Sequence, residues 1–90
     1  MNYSIIVPLY DEEENVKFLN KELVDAIIDL QKSNGRIFEL IFVDDGSKDN
    51  TFKELSSIKN ITEIPTVLIK HRKNISQSGA LLTGIAKSKY

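Results

Sequence analysis

Three apolar runs punctuate the chain, and each is followed by a polar loop and then by a stretch with helical spacing. The first run, Ser4-Ile5-Ile6-Val7, is β-branched and stops at Pro8. Proline cannot donate to a ladder, so a strand is expected to close there. The second run, Ile37 to Val43, ends in Asp44-Asp45-Gly46-Ser47, and the third, Thr66-Val67-Leu68-Ile69, ends in a charged turn, His71-Arg72-Lys73-Asn74. Apolar runs of this length bounded by turn residues read as buried strands. Between them the apolar spacing changes to three and four. Val16, Leu19, Leu23, Ala26, Ile27 and Leu30 mark one face of a helix that stops at Ser33-Asn34-Gly35. Its start is assigned to Asp11-Glu12-Glu13-Glu14, where Asp11 and Glu14 have capping-box spacing and the acidic cluster suits the positive end of a helix dipole. A shorter helix carries Phe52, Leu55 and Ile58 after the turn and cap residues 46–51. Asn60 to Pro65 form a connection. A third helix begins near Ser76 or Ser78 and carries Ala80, Leu81, Ile85 and Ala86.

The order β-α-β-α-β-α predicts an α/β fold in which a parallel sheet with right-handed crossovers forms the middle of three α/β/α layers. Strands without polar alternation agree, because parallel strands are covered on both faces. The three strand ends, Pro8 to Glu12, Asp44 to Ser47 and His71 to Ser76, then lie on one edge of the sheet. Open α/β sheets bind ligands at such an edge.

Composition narrows the classes. Ninety residues make one domain at most, and 12 Lys+Arg against 13 Asp+Glu leave no footprint for nucleic acid or an anionic membrane. The absence of cysteine excludes disulfides and thiolate metal sites. No basic n-region precedes a long apolar core, and no apolar run approaches the roughly 18–20 residues of a membrane span. The chain is therefore expected to be cytoplasmic.

The acidic pair carries the candidate chemistry. Asp44 and Asp45 follow a fully apolar strand, where burial is costly unless the charge is used or solvated. Carboxylates there can accept from a nucleobase N–H or a ribose hydroxyl, or contribute oxygen ligands to a divalent cation. Glu12 lies closest to the first strand end and is the acidic-cluster member expected to face the crevice. Arg72 is suited to bind two oxygens of a phosphate with its planar fork. His71 is not spaced with other ligands for a metal site. Neither a G-x-x-x-x-G-K loop nor a G-x-G-x-x-G turn is present, which argues against P-loop and dinucleotide-binding proteins, and no G-x-S-x-G elbow appears.

Three segments together resemble family 2 glycosyltransferases. Ser4 to Asn15 is similar to their V-P-x-Y-N-E-x-x-N opening, Glu39 to Thr51 to their E-I-I-x-V-D-D-G-S-x-D-x-T segment, and Arg72 to Ala86 to an R-N-x-G-x-x-x-A-x-x-x-G-x-x-x-A helix start, through Asn74, Gln77, Gly79, Ala80, Gly84 and Ala86. Asp11 stands where the family usually has Asn. Ser76 stands near the usual glycine, and one residue separates Arg72 from Asn74. The subset most resembled is that of polyprenyl-phosphate sugar transferases.

The resemblance implies a GT-A, Rossmann-like fold of which residues 1–90 are the N-terminal, nucleotide-binding part. It implies a nucleotide-diphospho-sugar donor, UDP- or GDP-linked, and a polyprenyl phosphate or glycan acceptor. Pro8, Tyr10 and Glu12 would line the nucleotide pocket, Asp44 would meet the base, Asp45 the ribose or base edge, and Arg72 the base or diphosphate. The family's Asp-x-Asp metal motif, its catalytic base and its acceptor site come later in the family's sequence. No catalytic residue is therefore expected in these 90 residues, which should be inactive alone. A divalent cation, Mg2+ or Mn2+, is expected in the full-length enzyme, with Asp45 at most a minor contributor. The full-length enzyme would work at the inner face of the cytoplasmic membrane. The strand that pairs beside the first one in the family would also come later, so the first strand should have an open edge through which the fragment self-associates. Competing readings are a receiver-like or other non-enzymatic α/β module and a nucleotidyltransferase. Receivers carry their acidic pair after the first strand, and nucleotidyltransferases carry a glycine-rich basic loop there.

Overall fold

Strand and helix alternate as the pattern predicts: β1 (Tyr3–Leu9), α1 (Val16–Asn34), β2 (Phe38–Asp44), α2 (Thr51–Lys59), β3 (Thr66–Lys70) and α3 (Gln77–Lys87). The computed structural model describes residues 2–59 and 64–90, so most of the expected connection after α2, residues 60–63, lies outside the described residues. The three strands form one parallel sheet in the order β1-β2-β3. Tyr3 to Leu9 pair in register with Phe38 to Asp44, and Leu40 to Asp44 pair with Thr66 to Lys70. The central strand β2 is buried at every position, as a strand covered on both faces must be.

Pro8 does not close β1, contrary to the sequence expectation. The strand continues through Pro8, opposite Val43, to Leu9. The reason is its place at the sheet edge. The Tyr3 N–H donates to Ile37 O at 2.9 Å, and Leu9 O accepts from the Asp45 N–H at 2.8 Å. Odd-numbered residues thus turn their backbone groups toward β2, and the missing N–H of Pro8 falls on the unpaired side, where no ladder bond is lost.

Side chains alternate across the sheet. Phe38, Leu40 and Phe42 pack with Leu9, Val16, Ile27, Leu55, Ile58 and Ile64 under α1 and α2. Ile41 and Val43 face the other way, toward Ala80 of α3 and the partly buried Ile6, Val67 and Ile69. Right-handed crossovers that advance from β1 to β3 place α1 and α2 on one side, and α3 returns across the other to cover β1 and β2.

Two helices differ from the reading of the pattern. Helix α1 begins at Val16, its N-cap Asn15 makes no side-chain capping bond, and its first turn holds no acidic residue. The capping box at Asp11 and Glu14 is therefore not formed. The backbone there is held by the loop after β2 instead, as described below. The end matches: Gly35 adopts a left-handed φ of 67° and its N–H returns to Gln31 O. Leu30 and Ala26, assigned to the inner face, are exposed, while Val24 and Ile28 pack inward. A 19-residue helix is about 28 Å long, whereas the seven-residue strand beneath it spans about 23 Å. The last turns of α1 therefore overhang the sheet.

In α3 the expected inner face of Ala80, Leu81, Ile85 and Ala86 reduces to small residues. Ala80 and Gly84 are buried, and Leu81, Ile85 and Ala86 are exposed. The helix lies so close to β1 that a Cβ at Gly84 would stand 2.4 Å from Ile6 Cγ2. Only a side chain of hydrogen fits there.

Candidate functional site

The three loops at the C-terminal ends of the strands meet, and backbone and short polar side chains hold them together. Loop 1, residues 10–15, donates into loop 2, residues 45–50, and the start of α2. The Asp11 N–H donates to Ser47 Oγ at 2.8 Å, the Glu12 N–H to Thr51 Oγ1 at 2.8 Å and the Glu13 N–H to Asp49 Oδ2 at 3.4 Å. The Lys48 N–H returns to Asp11 Oδ1 at 2.8 Å, and Asp11 is placed for this by a φ of 51°. Asp and Asn tolerate this left-handed conformation better than most residues. This is where the capping potential of Asp11 goes: it ties two loops together rather than starting a helix. Thr51, fully buried, is the hinge of the arrangement, because its hydroxyl also donates to Asp49 Oδ1.

The two neighbouring carboxylates diverge. Alternation turns Asp44 to the α1/α2 side. Its Oδ1 accepts from the Ser47 N–H at 2.9 Å and closes the turn, while its buried Oδ2 has no hydrogen-bond partner among the described residues. A sealed carboxylate oxygen without a donor is rare.

Asp45 turns to the α3 side and is fully engaged with loop 3, residues 71–76. Its Oδ1 lies 2.8 Å from His71 Nδ1 and accepts from the Ile75 N–H at 3.0 Å, and its Oδ2 accepts from Asn74 Nδ2 at 3.0 Å. Burial pushes the Asp45 carboxyl up, but the bonds from His71 and Ile75 and the charge of His71 outweigh it, and the group is held below its ordinary value. Loop 3 is also pressed onto loop 2 at Gly46, whose φ is 78° and where a Cβ would stand 2.3 Å from the carbonyl carbon of Lys73.

A crevice of about 270 Å³ opens between the loops, lined by Pro8, Leu9, Tyr10, Glu12, Asp45, Asn74, Ser76 and Gln77. Four of the six residues expected at the site, Pro8, Tyr10, Glu12 and Asp45, are thereby brought together. Asp44 is not among the lining residues, and neither is Arg72, which is exposed in loop 3. Ser76 caps α3 by accepting from the Gly79 N–H at 3.0 Å. A second hollow of similar size is bounded by Asp11 to Asn15 and Asp49. Among the described residues no group of three or more His, Asp or Glu could hold a metal ion.

His71 is the residue that sequence reasoning missed. It belongs to no solvated charged face: its side chain is 11% exposed, and its Nε2 lies 2.9 Å from Thr83 Oγ1 of α3. The usable signal was its position, directly after the apolar third strand at the same sheet edge as the acidic pair.

A model of glycosyl transferase family 2 matches residues 4–90. The chain belongs to this family. It is 33% identical over 81 residues to the undecaprenyl-phosphate 4-deoxy-4-formamido-L-arabinose transferase of Proteus mirabilis (strain HI4320), a match covering 90% of this chain and 24% of that protein. It is also 33% identical over 88 residues to the uncharacterized glycosyltransferase YkoT of Bacillus subtilis (strain 168), covering 96% of this chain and 26% of that protein. Among solved structures, the mannosyltransferase PcManGT from Pyrobaculum calidifontis, in complex with GDP-Man and Mn2+, matches with a TM-score of 0.67 at 18% identity, over 98% of this chain and 24% of that one. The family 2 chain thus spans about a quarter of the length of the relatives it matches. The α/β expectation holds in fold, and the family match leaves the receiver-like and nucleotidyltransferase readings without support. Among the described residues no helix is long and apolar enough to cross a membrane.

Proposed function

We propose that this family 2 chain is the donor-nucleotide-binding part of a glycosyltransferase that moves a sugar from a UDP- or GDP-sugar to a polyprenyl phosphate or glycan. The observation that carries the reading is the crevice itself. Residues from all three motifs, distant in sequence, line one hollow at the C-terminal edge of a parallel sheet. In this reading Pro8 and Tyr10 wall the base and Glu12 and Asp45 accept from its edge or from the ribose, while the sealed Asp44 meets the base only once the turn that it closes at Ser47 opens. Arg72, free to swing from an exposed loop, approaches the base or diphosphate. Mg2+ or Mn2+ belongs to the same proposal for the full-length enzyme, held mainly by the family's later Asp-x-Asp motif, with Asp45 at most a minor contributor. The setting is the cytoplasm, with the full-length enzyme at the inner face of the membrane that holds a lipid acceptor.

An amide-shift titration with UDP and with GDP, each with and without Mn2+, tests the reading. Shifts are expected at residues 8–12, 44–47 and 72–77, with little effect of metal, and the tighter nucleotide names the donor class. Absence of shifts with both nucleotides would overturn it for this chain. These 90 residues alone are expected to transfer no sugar, and donor-dependent transfer in a radiolabel assay would contradict that. The reading also includes self-association through β1, whose outer edge is unpaired within the described sheet. A strictly monomeric mass by light scattering at high concentration would remove that part.

A further inference from the structure

We propose that His71 is a positioning residue of the crevice, acting through Asp45 to set the loop 3 wall against which a nucleotide binds. The proposal rests on the nucleotide reading above and adds a residue to it. Asp45 is the hub: the same carboxylate lines the crevice and receives Asn74 Nδ2 and the Ile75 N–H from loop 3. Asn74 and Ser76 are themselves lining residues. The orientation of that carboxylate therefore decides where one wall stands. His71 fixes the orientation from behind. Its Nδ1 takes Oδ1 at 2.8 Å, which leaves Oδ2 as the oxygen shared with Asn74.

The ring is held at its far end as well. Nε2 lies 2.9 Å from Thr83 Oγ1, and the Thr83 hydroxyl also stands 3.0 Å from Gly79 O. Both ring nitrogens are thus paired, one with a carboxylate and one with a hydroxyl that can take either role. A side chain gripped at both ends loses its rotational freedom once, on folding, and not again when ligand arrives. The chain Asp45–His71–Thr83 spans the end of β2, the end of β3 and the second turn of α3, so it sets the three elements around the crevice relative to one another. Helix packing alone would not do this, because α3 rests on the sheet mainly through Ala80 and Gly84 and has little apolar relief to resist sliding.

The test titrates the 90-residue chain with GDP and with UDP by amide shifts, in parallel with spectra that report folding. His71→Ala is expected to weaken the tighter nucleotide about tenfold while the spectrum stays folded. His71→Asn places an amide N–H where Nδ1 stands and is expected to recover affinity to within about threefold of the wild type. Thr83→Val, which removes only the far grip, is expected to weaken binding about threefold. Adding His71→Ala to Asp45→Asn should cost nothing beyond Asp45→Asn alone, because His71 acts through that carboxylate.

A folded His71→Ala chain that binds within twofold of the wild type would overturn the proposal and leave the nucleotide reading standing. So would a His71→Asn chain no better than His71→Ala, which would make the ring mere packing. If His71→Ala does not fold, the His71→Asn and Thr83→Val affinities decide the matter alone. A wild-type chain that binds neither nucleotide overturns both the reading and the proposal.

Discussion

On the α1/α2 side of the sheet, Phe38, Leu40 and Phe42 meet Val16, Ile27, Leu55 and Ile58 in a layer of large side chains. On the α3 side, Ile41 and Val43 meet the small Ala80 and the half-buried Ile6, Val67 and Ile69, and buried polar groups stand beside them. Glu39 accepts there from the Ser4 hydroxyl at 2.6 Å and from the Lys89 N–H at 2.7 Å, and Asp45 accepts from loop 3. The thick side carries most of the apolar burial, and the thin side carries the hydrogen-bonded groups that shape the crevice. Asp44, which closes its turn on the thick side, is the exception; Glu39 and Asp45 are buried on the thin side, away from the main core. Stability and site geometry should then respond to different substitutions.

The sharpest way to break this contrast is Phe42→Ala. Phe42 is 1% exposed in the middle of β2, and its loss is expected to cost about 3–5 kcal/mol by urea unfolding. A cost below that of the thin-side variants would abolish the distinction. Gly46→Ala comes next. Its φ of 78° and the approach of Lys73 to within 2.3 Å of a Cβ predict a loss of about 2 kcal/mol, with amide shifts concentrated at residues 71–76. Gly84→Ala gains about 1 kcal/mol of helix propensity but forces α3 off Ile6, and a net loss of about 1 kcal/mol is expected. A stabilised Gly84→Ala chain would mean that α3 lifts freely and that the thin side is not tightly set.

Acid should expose the clasp. Asp45 is held below its ordinary value of 3.8, so its contribution is complete above that value and is lost as pH falls through the lower folded value. The wild-type chain is expected to lose stability below about pH 3.8, and Asp45→Asn should show a flatter profile in that window by thermal melts. Equal slopes would show that other carboxylates dominate acid unfolding. The smallest effect is expected at Leu82, 67% exposed on α3. Leu82→Ser should change stability by less than about 0.5 kcal/mol, and a larger change would reveal a partner on that face.

Much of this was legible in the chain. The apolar runs located all three strands, although only β2 is buried throughout, and Gly35 located the end of α1, because apolar runs and left-handed caps leave local signatures. The convergence of the three loops followed from topology, since parallel strands must end on one edge, whereas Pro8 and Tyr10 were singled out by the family resemblance. The exposure of Leu81 and Ile85 was not legible. Helical spacing says which residues share a face, but not that Gly84 lets α3 approach β1 until only the small face fits. The start of α1 was missed for a related reason: the partners of Asp11 lie 36 and 37 positions away, at Ser47 and Lys48.

What the sequence by itself determined is the element order, the parallel sheet and the edge where the three loops meet, because each rests on periodicity within a segment, and the family, because three segments together carry its motifs. Only the tertiary structure decided that adjacent Asp44 and Asp45 part to opposite sides, one with an oxygen left unpartnered and the other clasped to His71 and Asn74. It also decided that Pro8 continues a strand. Both depend on neighbours brought close across the sheet, and a hydrogen bond between residues 26 positions apart leaves no mark on the spacing of either.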